Sequence, residues 1–129
     1  MGYQQHDHNV VGGVTNLINK NELIPIEIFG VHNLQNLKAA QLVCNELGVE
    51  NNSFYQAIKS FKGASKRLEL VVKNDKSVFY KDFAHSPSKL KATTTALQEQ
   101  FPNRSLVACM ELHTFSSLNK DFLKLYHNS

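Results

Sequence analysis

Three short stretches of this 129-residue sequence gather side chains able to do polar chemistry. The first, Gly30-Val31-His32-Asn33-Leu34-Gln35-Asn36, sets a histidine and two asparagines at the start of a helix that follows a strand. A carboxamide offers a donor and an acceptor side by side, which suits the edge of an adenine base. The competing reading is plainer: Asn33 caps the helix and Asn36 is a surface residue. The second stretch is Lys66-Arg67-Leu68-Glu69. An arginine at a domain joint can grip a phosphate with its planar fork and swing with the hinge. Its plainer reading is a solvated charge pair. The third, Asp82-Phe83-Ala84-His85-Ser86-Pro87-Ser88, lies after a strand and before a helix. Ligands of open α/β sheets bind at such places, and a helix N-terminus favours anions. Asp82 can hold a ribose hydroxyl there and His85 can face a substrate. Equally, both belong to an ordinary capping turn.

The rest of the chain offers little competing chemistry. No Ser/His/Asp or Cys/His set stands at catalytic spacing, and Gly12-Gly13 has no Gly-Lys-Ser/Thr after it. Cys44 and Cys109 fall in separate apolar stretches and read as buried, reduced thiols. His6 and His8 lack a third ligand and read as part of a mobile terminus, so no metal ligands are expected in this segment. Lys plus Arg is 14 and Asp plus Glu 11, a net charge of +3. Basic residues crowd only at Lys59, Lys62, Lys66 and Arg67, too sparse for a nucleic-acid stripe. No apolar run approaches the ~20 residues of a membrane span, and the N-terminus has no secretory core. The expectation is a cytoplasmic protein without nucleic-acid or membrane partners.

These stretches need elements to position them. The first twenty residues are polar and read as irregular. Leu23 to Phe29 reads as a strand, with Pro25 placing its start at an edge. A helix capped by Asn33 carries Leu37, Ala40, Cys44 and Leu47 and stops at Gly48. Ser53 and Gln56 form a capping box for a second helix, with Phe54, Ala57, Ile58 and Phe61 on it. Beyond Gly63 the texture changes. Leu68–Val72 and Ser77–Tyr80 are β-like runs around Asn74-Asp75. Ser86-Pro87 opens a helix that keeps Leu90, Leu97 and Phe101 inward. Ser105–Met110 reads as a central strand covered on both faces, and Ser117 caps a last helix with Leu118, Phe122 and Leu125. Strand and helix alternation predicts an α/β fold with βαβ units and a largely parallel sheet in the second half. Apolar sheet edges would remain uncovered, so the chain reads as a piece of a longer protein.

Taken together, the three stretches resemble the Mur ligase family, ATP-dependent enzymes that attach amino acids or peptides to UDP-N-acetylmuramate. Gly30…His32-Asn33…Asn36…Ala39-Ala40 is similar to the family's G-x-H-N-x-x-N-x-x-A-A segment near the end of the central ATPase domain. Phe61-Lys62-Gly63…Arg67-Leu68-Glu69 looks like the F-x-G-x-x-x-R-x-E joint. Asp82-Phe83-Ala84-His85-Ser86-Pro87 is similar to the D-Y-A-H-x-P motif of the C-terminal domain, with Phe83 for the usual Tyr. The resemblance covers roughly Ile24 to Leu123. It implies residues 1–62 as the end of the central domain and 63–129 as the front of a Rossmann-like C-terminal domain.

The His32-Asn33 and Ala84-His85 pairs resemble the branch of the alanine-adding and murein tripeptide ligases. The compact joint and Met110-Glu111-Leu112-His113-Thr114-Phe115-Ser116 look more like the tripeptide ligase of cell-wall recycling. By the resemblance, Asn36, with His32 or Asn33, contacts adenine of ATP and Asp82 holds the ribose. Arg67 approaches the phosphates on domain closure, and His85 lies near the reacting centre. The family's phosphate loop, its magnesium ligands and its UDP-binding domain have no counterpart in the 129 residues. The expectation is therefore a fragment that is inactive alone. A stand-alone nucleotide-binding or interaction module is the alternative.

Overall fold

The computed structural model describes residues 4–112 and 119–128. It opens with an antiparallel sheet of β1 (His8–Val11), β2 (Val14–Asn19) and β3 (Glu22–Ile26), in that spatial order. The expectation of an irregular start is thus overturned. Gly12 and Gly13 have φ of 60° and 75°, the paired left-handed conformations that a two-residue hairpin turn requires. The register follows, with Val11 opposite Val14 and Asn9 opposite Asn16. Thr15 and Leu17 of β2 face inward at alternate positions. β3 is an edge strand and tolerates Pro25, as expected, but it ends at Ile26 rather than Phe29.

α1 (Val31–Glu46) and α2 (Asn51–Ile58) cover this sheet. Leu17, Ile24, Ile26 and Ile28 meet Leu34, Leu37, Phe54, Tyr55 and Ile58 in the main core, with Cys44 against its edge. Two expected caps are not formed. Gly30, not Asn33, is the N-cap of α1, because the Asn33 side chain turns back and donates to the Phe29 carbonyl at 2.9 Å. α2 begins two residues before Ser53, so Ser53 and Gln56 lie inside the helix and form no capping box. The stop at Gly48 holds: its φ is 83°, and the Gly48 and Val49 amides donate to the Asn45 and Cys44 carbonyls.

His6 is 5% exposed, packed edge-on to Tyr55, and its Nε2 has no hydrogen-bond partner among the described residues. The mobile-terminus reading of His6 therefore fails, because the imidazole is part of the packed interior. Burial, reinforced by Lys38 and opposed by Asp7, lowers its pKa. His32 is lowered as well, first by burial. Below the unfolded value near 6.5, the unfolded chain binds protons that the folded chain refuses. This contribution is complete above that value and is lost as pH falls toward the folded values. The urea midpoint should therefore be lower at pH 5.5 than at pH 7.5. His6→Phe should shrink that difference; an unchanged difference would clear His6 of the effect.

Past the 59–68 connection come β4 (Glu69–Lys73), β5 (Val78–Lys81) and α3 (Pro87–Gln100). The β4–β5 hairpin matches expectation, with an irregularity between Leu70 and Val72. Pro87 opens α3 with Ser86 as N-cap, and the helix stops before Pro102. Its buried residues are Ala96 and Gln100, while Leu97 packs partly covered on the second core cluster.

The α/β class stands, but every strand pairing among the described residues is antiparallel. The parallel member expected at Ser105–Met110 is not formed. A central strand needs a partner on each side, and β4 and β5 bond only one another, leaving Val107 90% exposed. Cys109 is consequently exposed rather than buried. The expected Ser117 cap lies outside the described residues. α4 (Lys120–Leu123) is capped by Asn119, whose Oδ1 accepts from the Asp121 amide at 2.8 Å.

Two features join the halves. Phe29, Leu68 and Ala96 form a second buried cluster with Tyr80 and Leu97 against it. Buried Thr15 donates to Gln100 Oε1 at 2.8 Å, and Gln100 Nε2 donates to the Gly13 carbonyl at 2.8 Å.

Candidate functional site

Between the start of α1, the 66–68 turn, the end of β5 and the start of α3 lies a cleft of about 300 Å³. Five of the six candidates from the sequence line it: His32, Asn36, Arg67, Asp82 and His85. Asn33 does not, since its amide is bonded to Phe29. A larger depression of about 670 Å³ lies at Asn19–Glu22 and Glu50–Asn52. It is shallow and lacks a convergent set of polar groups, so the smaller cleft is the better site.

Each element contributes for a local reason. Gly30, with φ 86°, turns the chain from the sheet into α1 and lets α3 come close; a Cβ there would sit 2.7 Å from that of Ala96. That close approach sets α1 and its His32 and Asn36 against α3. Arg67 is flanked by Lys66 and Leu68, two non-glycine residues with φ of 58° and 47°. Left-handed backbone costs about 1 kcal/mol or more at such residues, so the surroundings must enforce it. Asp82 does so on one side: its Oδ1 accepts from the Leu68 amide at 2.8 Å and its Oδ2 from Thr93 Oγ1 at 3.0 Å. Glu69 does so on the other, accepting from the Lys66 amide at 2.7 Å and from Ser65 Oγ at 3.2 Å. Those bonds hold the Glu69 carboxyl below its ordinary pKa, the Lys66 amide contributing most.

His85 Nδ1 lies 3.0 Å from the Phe83 carbonyl, which only accepts, so that nitrogen carries the proton. Its Nε2 then accepts from Lys89 Nζ at 3.3 Å. Tyr126 Oη donates to the His85 carbonyl at 3.0 Å, bringing the 3-10 turn at Lys124–Asn128 to the rim. Burial keeps His32 neutral near pH 7; Arg67 adds to that effect and Asp82 opposes it. With Arg67 and Lys89 positive and Asp82 negative, the fixed charge of the cleft is 2 − 1 = +1. Such a cleft receives an anion with a polar, hydrogen-bonding body.

Lys89 and Thr93 were not singled out from the sequence. Their signal is periodicity: Lys89 and Thr93 stand four residues apart on one face of α3, in step with His85 just before the helix.

No family model matches the chain. Curated proteins do. It is 36% identical over 106 residues to the UDP-N-acetylmuramate–L-alanine ligase of Cytophaga hutchinsonii, covering 82% of this chain and 22% of that protein. The ligase of the same name from Caldicellulosiruptor bescii is 40% identical over 95 residues, 74% of this chain and 21% of its own. Among solved structures, UDP-N-acetylmuramate–alanine ligase MurC of Thermotoga maritima superposes with a TM-score of 0.66 at 17% identity, over 79% of this chain and 25% of that one. MurF of Acinetobacter baumannii gives 0.58 at 21% identity, over 72% and 21%. At such identities the structures share the fold.

These relatives are ligases, and the solved structures among them share the α/β fold of this chain. They are Mur ligases, and the chain is similar to them over most of its own length. It spans about a fifth of the length of the curated relatives. Among the described residues no helix is long and apolar enough to cross a membrane.

Proposed function

We propose that this chain is part of an ATP-dependent ligase that joins an amino acid to UDP-N-acetylmuramate in the cytoplasm, and that the cleft is one wall of its nucleotide site. The observation that carries this reading is the convergence of His32, Asn36, Arg67, Asp82 and His85 on a single cleft. Residues 1–62 would end the central domain and 63–129 would begin the C-terminal one. In that arrangement Asn36 meets the adenine, helped by half-buried, neutral His32. Asp82 meets the ribose through lone pairs left over from its bonds to Leu68 and Thr93. Arg67 reaches phosphate oxygens, and His85 lies toward the incoming amine. The chemistry, activation of a carboxyl by phosphoryl transfer and attack by the amine, then rests on positioning and charge. Among the described residues no three His, Cys, Asp or Glu groups gather to hold magnesium, so no step is assigned to that ion here.

L-alanine is the better supported amino acid, because the curated relatives carry that name. The expected peptide-adding reading rests on the Phe61–Glu69 joint and on Met110–Ser116, most of which lies outside the described residues, and the names of the curated relatives favour the L-alanine alternative over it.

Titration of the chain with ADP, followed by amide NMR, tests the site. Shifts should concentrate at 32–36, 67 and 82–89. Shifts confined to 19–22 and 50–52 would place the nucleotide elsewhere. Asn36→Ala should weaken ADP binding by about 1–3 kcal/mol, the loss when a ligand group is left without its hydrogen-bond partner. A lowered melting temperature with unchanged affinity would make Asn36 structural. The chain alone should release no phosphate from ATP above a heat-killed control. Turnover that disappears in Asp82→Ala would overturn the fragment reading.

A further inference from the structure

The placement of Arg67 raises a question that its role in the cleft does not answer. The guanidinium forms no ion pair with Glu69, although the two are close in sequence and opposite in charge. The Glu69 carboxylate is turned instead to the backbone, binding the Lys66 amide and the Ser65 hydroxyl with one oxygen, Oε2. Lys66 and Leu68 both hold left-handed backbone, so Arg67 is bracketed by two residues that would leave that conformation if released. Leu68 is fixed twice, by its buried side chain against Phe29 and Ala96 and by the Asp82 bond to its amide. Lys66 has no such anchor in the core: it is exposed, and Glu69 is what its amide binds. The turn presenting Arg67 is thus held by the fold at its far side, while at its near side the Arg67 amide donates to the Ala64 carbonyl at 3.1 Å and the Glu69 carboxylate holds the Lys66 amide.

We propose that Glu69 is a positioning residue for Arg67, holding the left-handed turn at Lys66 so that the guanidinium enters the cleft. Its importance for function rests on the ligase reading above; its effect on Arg67 does not. Two other charged groups face Glu69. Lys66 belongs to the same turn, and Lys81 stands opposite it across the β4–β5 pair. Both favour the ionised carboxylate that the turn requires. A surface charge pairing only with Lys81 would leave Arg67 indifferent to Glu69.

The test is nitrogen-15 NMR of the 129-residue chain, with Glu69→Ala and Glu69→Gln as variants. Glutamine keeps an acceptor oxygen for the Lys66 amide, while alanine removes it. In the unaltered chain, the Lys66 amide and the Arg67 Nε–H resonances should move together as Glu69 titrates. In Glu69→Ala both should shift at every pH, and in Glu69→Gln they should stay near their original positions. An Arg67 Nε–H resonance blind to Glu69→Ala overturns the proposal, whatever the ligand turns out to be. ADP affinity supplies the second reading. Glu69→Ala should weaken binding about three- to tenfold, and adding it to Arg67→Ala should cost less than about twofold more, since it acts through Arg67. Full additivity of the two losses overturns the positioning role. If Arg67→Ala leaves ADP affinity unchanged, the nucleotide reading of the cleft fails, and the resonance test still decides whether Glu69 sets the turn.

Discussion

Gly30→Ala should destabilise the protein by about 2–4 kcal/mol, far more than a glycine-to-alanine change usually costs. Two penalties add at this position. The φ of 86° is unfavourable for any residue with a Cβ, at about 1–2 kcal/mol. The added Cβ also meets the Ala96 Cβ at 2.7 Å and His32 Cε1 at 3.3 Å. Ala96 is buried among Phe29, Leu68, Tyr80 and Leu97, so it cannot simply step aside. Gly48→Ala is the matched control. Its φ is 83°, but nothing lies within 4 Å of the new Cβ. Gly48→Ala should therefore cost only the conformational term, about 1–2 kcal/mol. Chemical denaturation of the two variants separates strain from collision. Ala96→Gly should recover part of the Gly30→Ala loss, because it removes the struck atom. Equal losses at Gly30 and Gly48 would mean that α1 and α3 do not press together as described. The consequence reaches function as well: pushing α3 from Gly30 widens the cleft between Asn36 and His85.

How much of this was legible beforehand depended on whether the signal was local. Pro87 at the start of α3, Gly48 at the end of α1 and the hairpin around Asn74-Asp75 are local chemistry, and each appears where its residues indicate. The β1–β2 hairpin was just as local. Val-Val-Gly-Gly-Val carries its turn openly, but polar residues surround it, and β1 has no buried residue and no alternating apolar face to mark it as a strand. Asn33 shows the limit of residue-type reasoning. It is a good cap by propensity, yet Gly30 already occupies that position, and the amide bonds backward to Phe29. Ser105–Met110 failed for a tertiary reason. An apolar run becomes a central strand only where partner strands flank it, and among the described residues none does.

The grouping of the candidate residues was more legible than the fold, since they were named by motif. Five of them meet although His32 and His85 stand 53 positions apart in the sequence. What could not be read was their division of labour. Asp82 and Glu69 spend their carboxylates on the backbone around Arg67, which no spacing rule announces.

On the ligase reading proposed above, Arg67→Lys should lower kcat of the whole enzyme by about tenfold or more, roughly 1.4 kcal/mol, while changing either KM less. Lysine keeps the charge but loses the planar fork, and its ammonium binds one oxygen where a guanidinium spans two. The turn around residue 67 is fixed by Glu69 and Asp82, so the backbone has little freedom to re-aim a different side chain. A contact made only in the closed, reacting state appears in kcat rather than in ground-state affinity. The competing outcome follows from exposure. Arg67 is exposed at the cleft mouth, and an exposed charge with a merely electrostatic role contributes about 0–1 kcal/mol. Steady-state kinetics with ATP and sugar nucleotide varied separately distinguish the two. A kcat within about twofold of the parent, under 0.5 kcal/mol, would remove Arg67 from the reacting site and leave the cleft to Asn36, Asp82 and His85. A loss confined to the KM for ATP would mean that Arg67 grips the nucleotide equally before and during reaction, so that closure adds nothing at this residue.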